Sequence, residues 1–254
     1  MNRHYTASTY STGQIAEIAE LHPNTVRKYE EWGLIQKPVR KKNGYRVFTD
    51  IHVRQFELAK KAFQIEVLQA GLRKRIIETV KLSAQYRFDE AIELAQEYIR
   101  IAEQEKENAK ETAGICEMLY LNRPQNEDIF YKRSQAAKEL GLTIDTIRNW
   151  EMNGLLTVKR KQNGYRVYNS NDMNRLKIIR SLRCANYSLS AILRMLKKLD
   201  NGMEKNNFLD ILNTPEDDED IISACDKLII SLDNAIKNAN DVISIITEIK
   251  QINL

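Results

Sequence analysis

Apolar positions along this 254-residue chain fall into helical and alternating runs, and the order of the runs occurs twice. Ile15, Ala16, Ile18 and Ala19 lie one helical turn or less apart, as do Ala136, Ala137 and Leu140; each group predicts a short amphipathic helix. A tight turn follows. In the second case it is Gly141-Leu142-Thr143, with a glycine suited to a left-handed helix end and a threonine able to cap the next helix. In the first it is Glu20-Leu21-His22-Pro23, where Pro23 suits a first helical position. A second helix then runs to Gly33 or Gly154. Two helices joined by so short a turn make a helix-turn-helix. Two short β-leaning runs around Asn43-Gly44 and Asn163-Gly164 predict hairpins. Thr49-Asp50 and Ser170-Asn171-Asp172 are candidate caps for helical segments over about 51–82 and 172–198.

Two longer patterns come next. Phe88, Ala95, Ala102, Ala109 and Cys116 recur at seven-residue steps, with Ile92, Ile99 and Leu119 between them, predicting a helix over about 88–120. Ile221, Cys225, Leu228, Leu232, Ala235, Ala239, Val242, Ile246 and Ile249 alternate steps of four and three, a coiled-coil period. Thr214 and Pro215, followed by Glu216-Asp217-Asp218-Glu219-Asp220, suit the start of that helix. Between the helical patterns, Phe208-Leu209-Asp210-Ile211-Leu212 predicts a short apolar turn within a loop.

The repetition extends to residue identity. Gln14–Gly33 returns as Gln135–Gly154, and Asn43-Gly44-Tyr45-Arg46-Val47 returns as Asn163-Gly164-Tyr165-Arg166-Val167. A spacing of about 120 residues is too long for a solenoid, whose units run roughly 20–50 residues, and marks a duplicated domain. The expected organisation is an arm (1–9), a first module (10–82), a long helix (83–121), a linker (122–130), a second module (131–199), a loop (200–214) and a second long helix (215–252). The expected fold is mainly α: two winged helix-turn-helix domains, each followed by a long coiled-coil helix.

The net charge of +4 hides a segregation. Residues 131–183 carry twelve Lys or Arg against four acids, whereas residues 88–120 carry nine acids against three bases. Basic modules joined by acidic helices predict a polyanion that touches only the modules. The start of the chain has no apolar stretch resembling a signal peptide, and no run approaches the ~18–20 apolar residues of a membrane span. No membrane partner is expected, and three widely spaced cysteines suit a reducing, cytoplasmic setting. His4, His22 and His52 lack ligand spacing. No nucleophile, paired carboxylates, Gly-rich phosphate loop or metal cluster is evident, so neither an enzyme nor a cofactor is expected.

A second helix of this kind enters the major groove of duplex DNA with its N-terminal half toward the bases. The candidate contacts are Asn24, Thr25, Arg27 and Lys28 in the first module, and Asp145, Thr146, Arg148 and Asn149 in the second. Arg27 and Arg148 coincide and suit phosphate, which positions without specifying; Asn24 against Asp145, and Lys28 against Asn149, differ in donor and acceptor character. The hairpins add Arg40, Lys41, Lys42, Tyr45 and Arg46, and Lys159, Arg160, Lys161, Tyr165 and Arg166. Tyr29, Trp32 and Trp150 read as core residues, and Glu30 and Glu151 as partners for a neighbouring arginine or a helix end.

Arg27-Lys28-Tyr29-Glu30, Gly33-Leu34 and Asn43-Gly44-Tyr45-Arg46-Val47-Phe48, with their counterparts Arg148-Asn149-Trp150-Glu151, Gly154-Leu155 and Asn163-Gly164-Tyr165-Arg166-Val167-Tyr168, resemble the winged helix-turn-helix of MerR-family transcription regulators. The likeness covers residues 10–82 and 131–198, and the long helices resemble the family's dimerisation helix. Lys28 and Asn149 depart from the family's aromatic, and Glu20 from its turn glycine, which predicts a less well formed first module. The resemblance implies sequence-specific binding of double-stranded DNA, bending or untwisting of promoter DNA, RNA polymerase as a further partner, and a place at the bacterial nucleoid. It also implies pairing through antiparallel long helices. One chain holding two modules and two such helices then predicts a pseudo-dimer within the chain, with a homodimer as the alternative, and a site of two unlike half-sites. A helix of ~33 residues spans ~50 Å, enough to set two modules on successive turns of one DNA face. In that register Cys116 and Cys225 come close, either as small buried hydrophobes or as a thiol pair sensing metal or oxidant. No separate effector domain is expected after the second long helix, and an architectural DNA-binding protein is the competing reading.

Overall fold

The computed structural model describes residues 8–64, 68, 70–120, 129–158, 166–205 and 221–252. In chain order the elements are β1 (Thr9–Tyr10), α1 (Thr12–Ile18), α2 (Pro23–Glu31), β2 (Val39–Arg40), β3 (Arg46–Thr49), α3 (Asp50–Phe63), α4 (Leu72–Ala84), α5 (Phe88–Tyr120), β4 (Tyr131–Lys132), α6 (Arg133–Glu139), α7 (Ile144–Met152), β5 (Val167–Tyr168), α8 (Ser170–Cys184), α9 (Leu189–Lys205) and α10 (Ile221–Ile252). Most of the expected arm and linker, the tip of the second hairpin, the apolar turn at 208–212 and the cap at Thr214-Pro215 lie outside the described residues. The chain divides into two compact units: residues 1–103 with 233–254, and residues 104–232. Each unit therefore holds one module together with a stretch of both long helices.

In the first unit α1 and α2 form the helix-turn-helix. Ser11 caps α1 in a reciprocal pair with Gln14. Pro23 occupies the first turn of α2, and His22 Nδ1 accepts from the Asn24 amide at 3.2 Å. The turn between the helices needs a left-handed residue, and Glu20 takes it at φ 53°, where the second module has Gly141 at φ 61°. Among the described residues, both helices and the strands of module 1 form despite the missing glycine. Lys60 holds the strained turn from α3, donating to the Ala19 carbonyl at 2.9 Å and to the Glu20 carboxylate at 2.8 Å. Strands run in the order β1-β3-β2, antiparallel, with Tyr10 opposite Phe48 and Arg40 opposite Arg46. Ile15, Val26, Leu34, Phe48 and Phe56 are buried beneath them, and Tyr29 stacks on Phe56 with ring centroids 5.7 Å apart. Arg54–Glu248 (3.3 Å) and Lys61–Asp241 (2.7 Å) tie α3 to α10, while Lys250–Asp89 (2.5 Å) joins the last turn of α10 to the first of α5.

The second unit repeats the plan. Thr143 Oγ1 accepts from the Thr146 amide to start α7, as expected. The cap of α8 is Asn169, one residue earlier than the expected Ser170; its Oδ1 accepts from the Asp172 amide at 2.8 Å. β4 pairs antiparallel with β5, Tyr131 opposite Tyr168. Ile147, Trp150, Leu155, Leu176 and Ile179 form one core with Ile115 and Cys116 of α5 and Ile221, Ala224 and Cys225 of α10. Here α8 docks on α5 through Arg180–Glu105 (2.7 Å), Lys177–Glu111 (2.7 Å) and a Thr112–Ser181 hydroxyl pair at 2.8 Å.

Every expected seam residue of α10 from Ile221 to Ile249 is buried. On α5 the seven-residue series from Phe88 to Cys116 is buried as expected, but the second line of the seam is not Ile92 and Ile99, which are half-buried. It is Ala91, Tyr98, Glu105 and Thr112, one residue earlier, which restores alternating steps of four and three along the helix. Trp32, expected in the core, is 55% exposed: it follows the last turn of α2, past the face that packs on α3. Tyr29 and Trp150 are buried as expected.

Two outcomes follow. Left-handed backbone costs an L-residue roughly 1–2 kcal/mol, so Gly141→Ala should destabilise the chain by about 1 kcal/mol. Glu20→Gly should be neutral to stabilising, since the relieved strain outweighs one exposed ion pair; thermal unfolding of both variants checks this. The second concerns His52, buried at the start of α3, whose Nδ1 accepts from the Thr49 amide at 3.0 Å. Burial holds its pKa below the ordinary histidine value, against smaller opposing effects of the Gln36 backbone and Glu30. Below about pH 6.5 the unfolded chain takes a proton that the folded chain refuses. Stability from this group is therefore full above that pH and falls as the pH drops. His52→Gln keeps a capping-box acceptor and should flatten the melting temperature between about pH 7 and 5.5.

Candidate nucleic-acid interface

Side chains on α2 divide by face. Val26 and Tyr29 point into the core, leaving Asn24, Arg27 and Lys28 exposed and Thr25 half-buried. Arg27 donates to Asn24 Oδ1 at 3.3 Å, which braces the guanidinium along the helix surface. On α7 the same division buries Ile147 and Trp150 and exposes Asp145, Arg148 and Asn149, with Thr146 half-buried. The Asn149 amide oxygen already accepts from Asn153 at 2.9 Å, so its NH2 is the group it can offer outward. The sequence-level candidates on both helices therefore share one outward surface in each module.

The first hairpin is built by Asn43 and Gly44. Asn43 Oδ1 accepts from the Tyr45 amide, Lys41 and Tyr45 pair through the backbone at 2.8 Å, and Gly44 takes φ 83°. The tip exposes Lys41, Lys42 and Tyr45. Together with residues 9–14 and Arg27 it lines an open cleft of about 840 Å³. Such a cleft, edged by cations and hydroxyl groups, suits a phosphodiester backbone. Arg40 is exposed and donates to the Gly44 carbonyl at 3.3 Å. In the second hairpin, Lys159, Arg160, Lys161 and Tyr165 lie outside the described residues.

The two hairpin arginines nearest the body turn inward. Arg46 Nε lies 2.5 Å from Glu30 Oε2, and Arg166 Nε lies 3.1 Å from Glu151 Oε2. Both glutamates sit on the second helix of the helix-turn-helix, 7% and 6% exposed, so the strand-side arginine of each module is held to that helix by a shielded ion pair. The sequence reading gave Glu30 and Glu151 this role; it missed Arg133 and Tyr168. Arg133 reaches Glu151 Oε2 at 2.7 Å, and the Tyr168 hydroxyl donates to Oε1 while accepting from Arg133 Nε at 3.0 Å. Burial first, and then that bond to Glu151, raises the Tyr168 phenol to about 12, so it stays a donor at any ordinary pH. The signal was the exchange of Thr12 for Arg133 and Phe48 for Tyr168 between aligned copies.

Cys116 and Cys225 lie in the same buried core, and neither forms a disulfide. Among the described residues no group of three or more His, Cys, Asp or Glu is arranged to hold a metal ion, and no helix is long and apolar enough to cross a membrane.

Comparison with known proteins places this geometry. The family model for MerR HTH family regulatory proteins matches residues 10–74 and again residues 131–199. The chain is 39% identical over 51 residues to the HTH-type transcriptional regulator CueR of Escherichia coli O6:H1, covering 20% of this chain and 38% of that protein. It is 41% identical over 69 residues to the "Probable heavy metal-dependent transcriptional regulator" of Haemophilus influenzae, covering 27% and 54%. It is 39% identical over 61 residues to the HTH-type transcriptional regulator AdhR of Bacillus subtilis, covering 24% and 44%. The matches thus span about half or less of these relatives' length. No solved structure matches. With two family matches that together take in more than half of its residues, each on a module whose second helix turns an arginine outward, the chain belongs to the MerR HTH family of regulatory proteins.

Proposed function

We propose that the chain is a transcription regulator that binds double-stranded DNA in a sequence-specific manner through both modules. The observation that carries this reading is the repeated surface: in each module the helix that follows the turn exposes an arginine at the same position, Arg27 or Arg148; in the first module it stands beside a basic hairpin, whose sequence the second module repeats. In the first module Asn24, Thr25, Arg27 and Lys28 face the DNA while Arg40, Lys41, Lys42 and Tyr45 serve the backbone, and Arg46 sets the hairpin on the helix through Glu30. Asp145, Thr146, Arg148 and Asn149, with Lys159, Arg160, Lys161, Tyr165 and Arg166, are the second set. Domains 10–82 and 131–199 are the DNA-binding parts, and the acidic α5 keeps the rest of the chain off the polyanion. On this reading RNA polymerase is a further partner and the chain works in the cytoplasm at the nucleoid, in keeping with the family resemblance.

The modules act as a dimer fused into one chain. Support comes from the sharing of long helices: module 1 is ion-paired to α10 as well as to α5, and module 2 is ion-paired to α5 while sharing its core with α10. Each module thus leans on the helix that follows the other in addition to its own, as two subunits do when they share arms. Because the outward residues differ, Asn24 and Lys28 against Asp145 and Asn149, the site is two unlike half-sites. Selection of duplexes from a random pool tests this. The expected product is one asymmetric sequence, bound with an affinity that falls steeply with salt, because phosphate contacts release counterions. A palindromic product, or binding without sequence preference, would contradict it.

A further inference from the structure

The two pinned glutamates differ in how many donors hold them, and the difference falls on the wing arginine. Glu30 has one close partner, Arg46 at 2.5 Å; Arg40 stands at 3.6 Å, beyond hydrogen-bond reach. Phe48 and Thr12 occupy the places from which the second module supplies two more donors. Glu151 keeps Arg133 at 2.7 Å and the Tyr168 hydroxyl whether or not Arg166 stays at 3.1 Å. Exposure follows the same order: the Arg46 side chain is 21% exposed and that of Arg166 is 36%. A buried carboxylate stripped of its one hydrogen-bonded cation is strongly unfavourable, whereas one with two remaining donors is not.

We propose that these aligned arginines have different roles. Arg46 is a positioning residue, committed to Glu30 and setting the first wing on its helix, while Arg166 leaves Glu151 to contact a DNA phosphate. This rests on the DNA-binding reading above. Module 2 thereby gains a phosphate contact that module 1 cannot make with the same residue, so the two halves of the chain grip the backbone unequally.

The test uses the full chain and a mixed-sequence 40-base-pair duplex, with affinity measured against salt concentration and thermal unfolding measured in parallel. Arg166→Ala is expected to leave the melting temperature within a degree or two of the parent and to lower the slope of log affinity against log salt by about 0.9, one phosphate's worth. Arg166→Lys retains the slope, and adding Glu151→Gln to Arg166→Ala restores nothing. Arg46→Ala is expected to lower the melting temperature by several degrees and weaken binding with the slope unchanged. Adding Glu30→Gln, which removes the stranded charge, recovers most of the melting temperature and affinity. If Arg46→Ala alone fails to fold and the double variant folds, the positioning role stands. Failure of both to fold, or an Arg46→Ala slope loss equal to that of Arg166→Ala with no rescue by Glu30→Gln, overturns it. A parent chain that does not bind duplex DNA overturns the DNA reading and the phosphate role of Arg166, while the unfolding data still decide the role of Arg46.

Discussion

A carboxylate taken out of water must be given a cation, and in both modules the second helix of the helix-turn-helix carries such a carboxylate. Glu30 and Glu151 are nearly buried; Arg46 and Arg166 answer them from the hairpin side, and Arg133 also answers Glu151 from α6. In the first module the pair fastens the base of the hairpin to the helix. Exposed ion pairs contribute little, but shielded, hydrogen-bonded ones are costly to break. The orientation of Tyr45 and the lysines at the hairpin tip depends on this pin, as does the cleft between the tip, Arg27 and the first turn of α1.

A second constraint operates away from the candidate interface. In the first unit α3 meets α10 through Arg54 and Lys61, at positions that stay partly open to solvent. In the second, α8 meets α5 through Arg180 and Glu105, which are largely shielded, and through the Thr112–Ser181 hydroxyl pair. Cys184 shares that environment: burial foremost, with the nearby Glu105, raises its thiol to about 12, so it is a protonated core residue. Buried polar contacts of this kind specify a register more than they add stability. The second module is accordingly the more narrowly fixed in register on its long helix.

Much of this was legible in the sequence because duplication provides an internal comparison. Matching residues marked the helix-turn-helix and the hairpin, and the α10 seam was correct at every position because all of its members are apolar. The α5 seam was half legible. Phe88 to Cys116 stood out, but Glu105 and Thr112 are polar, so Ile92 and Ile99 took their place in a reading based on hydrophobicity alone. The left-handed turn at Glu20 could not be read from a residue that rarely adopts it; the lysine that supports it lies forty residues away. Trp32 is exposed because it falls just beyond the last buried turn of α2, a boundary that helical periodicity does not resolve. Arg133 and Tyr168 were visible only as differences from Thr12 and Phe48, and a difference acquires meaning only once the fold brings both to Glu151.

The central claim is that one chain supplies both halves of what two subunits normally supply. Light scattering of the protein alone, and native mass measurement of its complex with a single selected duplex, test it most directly. The account predicts the mass of one 29.5 kDa chain at working concentration and one chain per duplex. Two chains in solution and two on every duplex, at all protein concentrations, would contradict it.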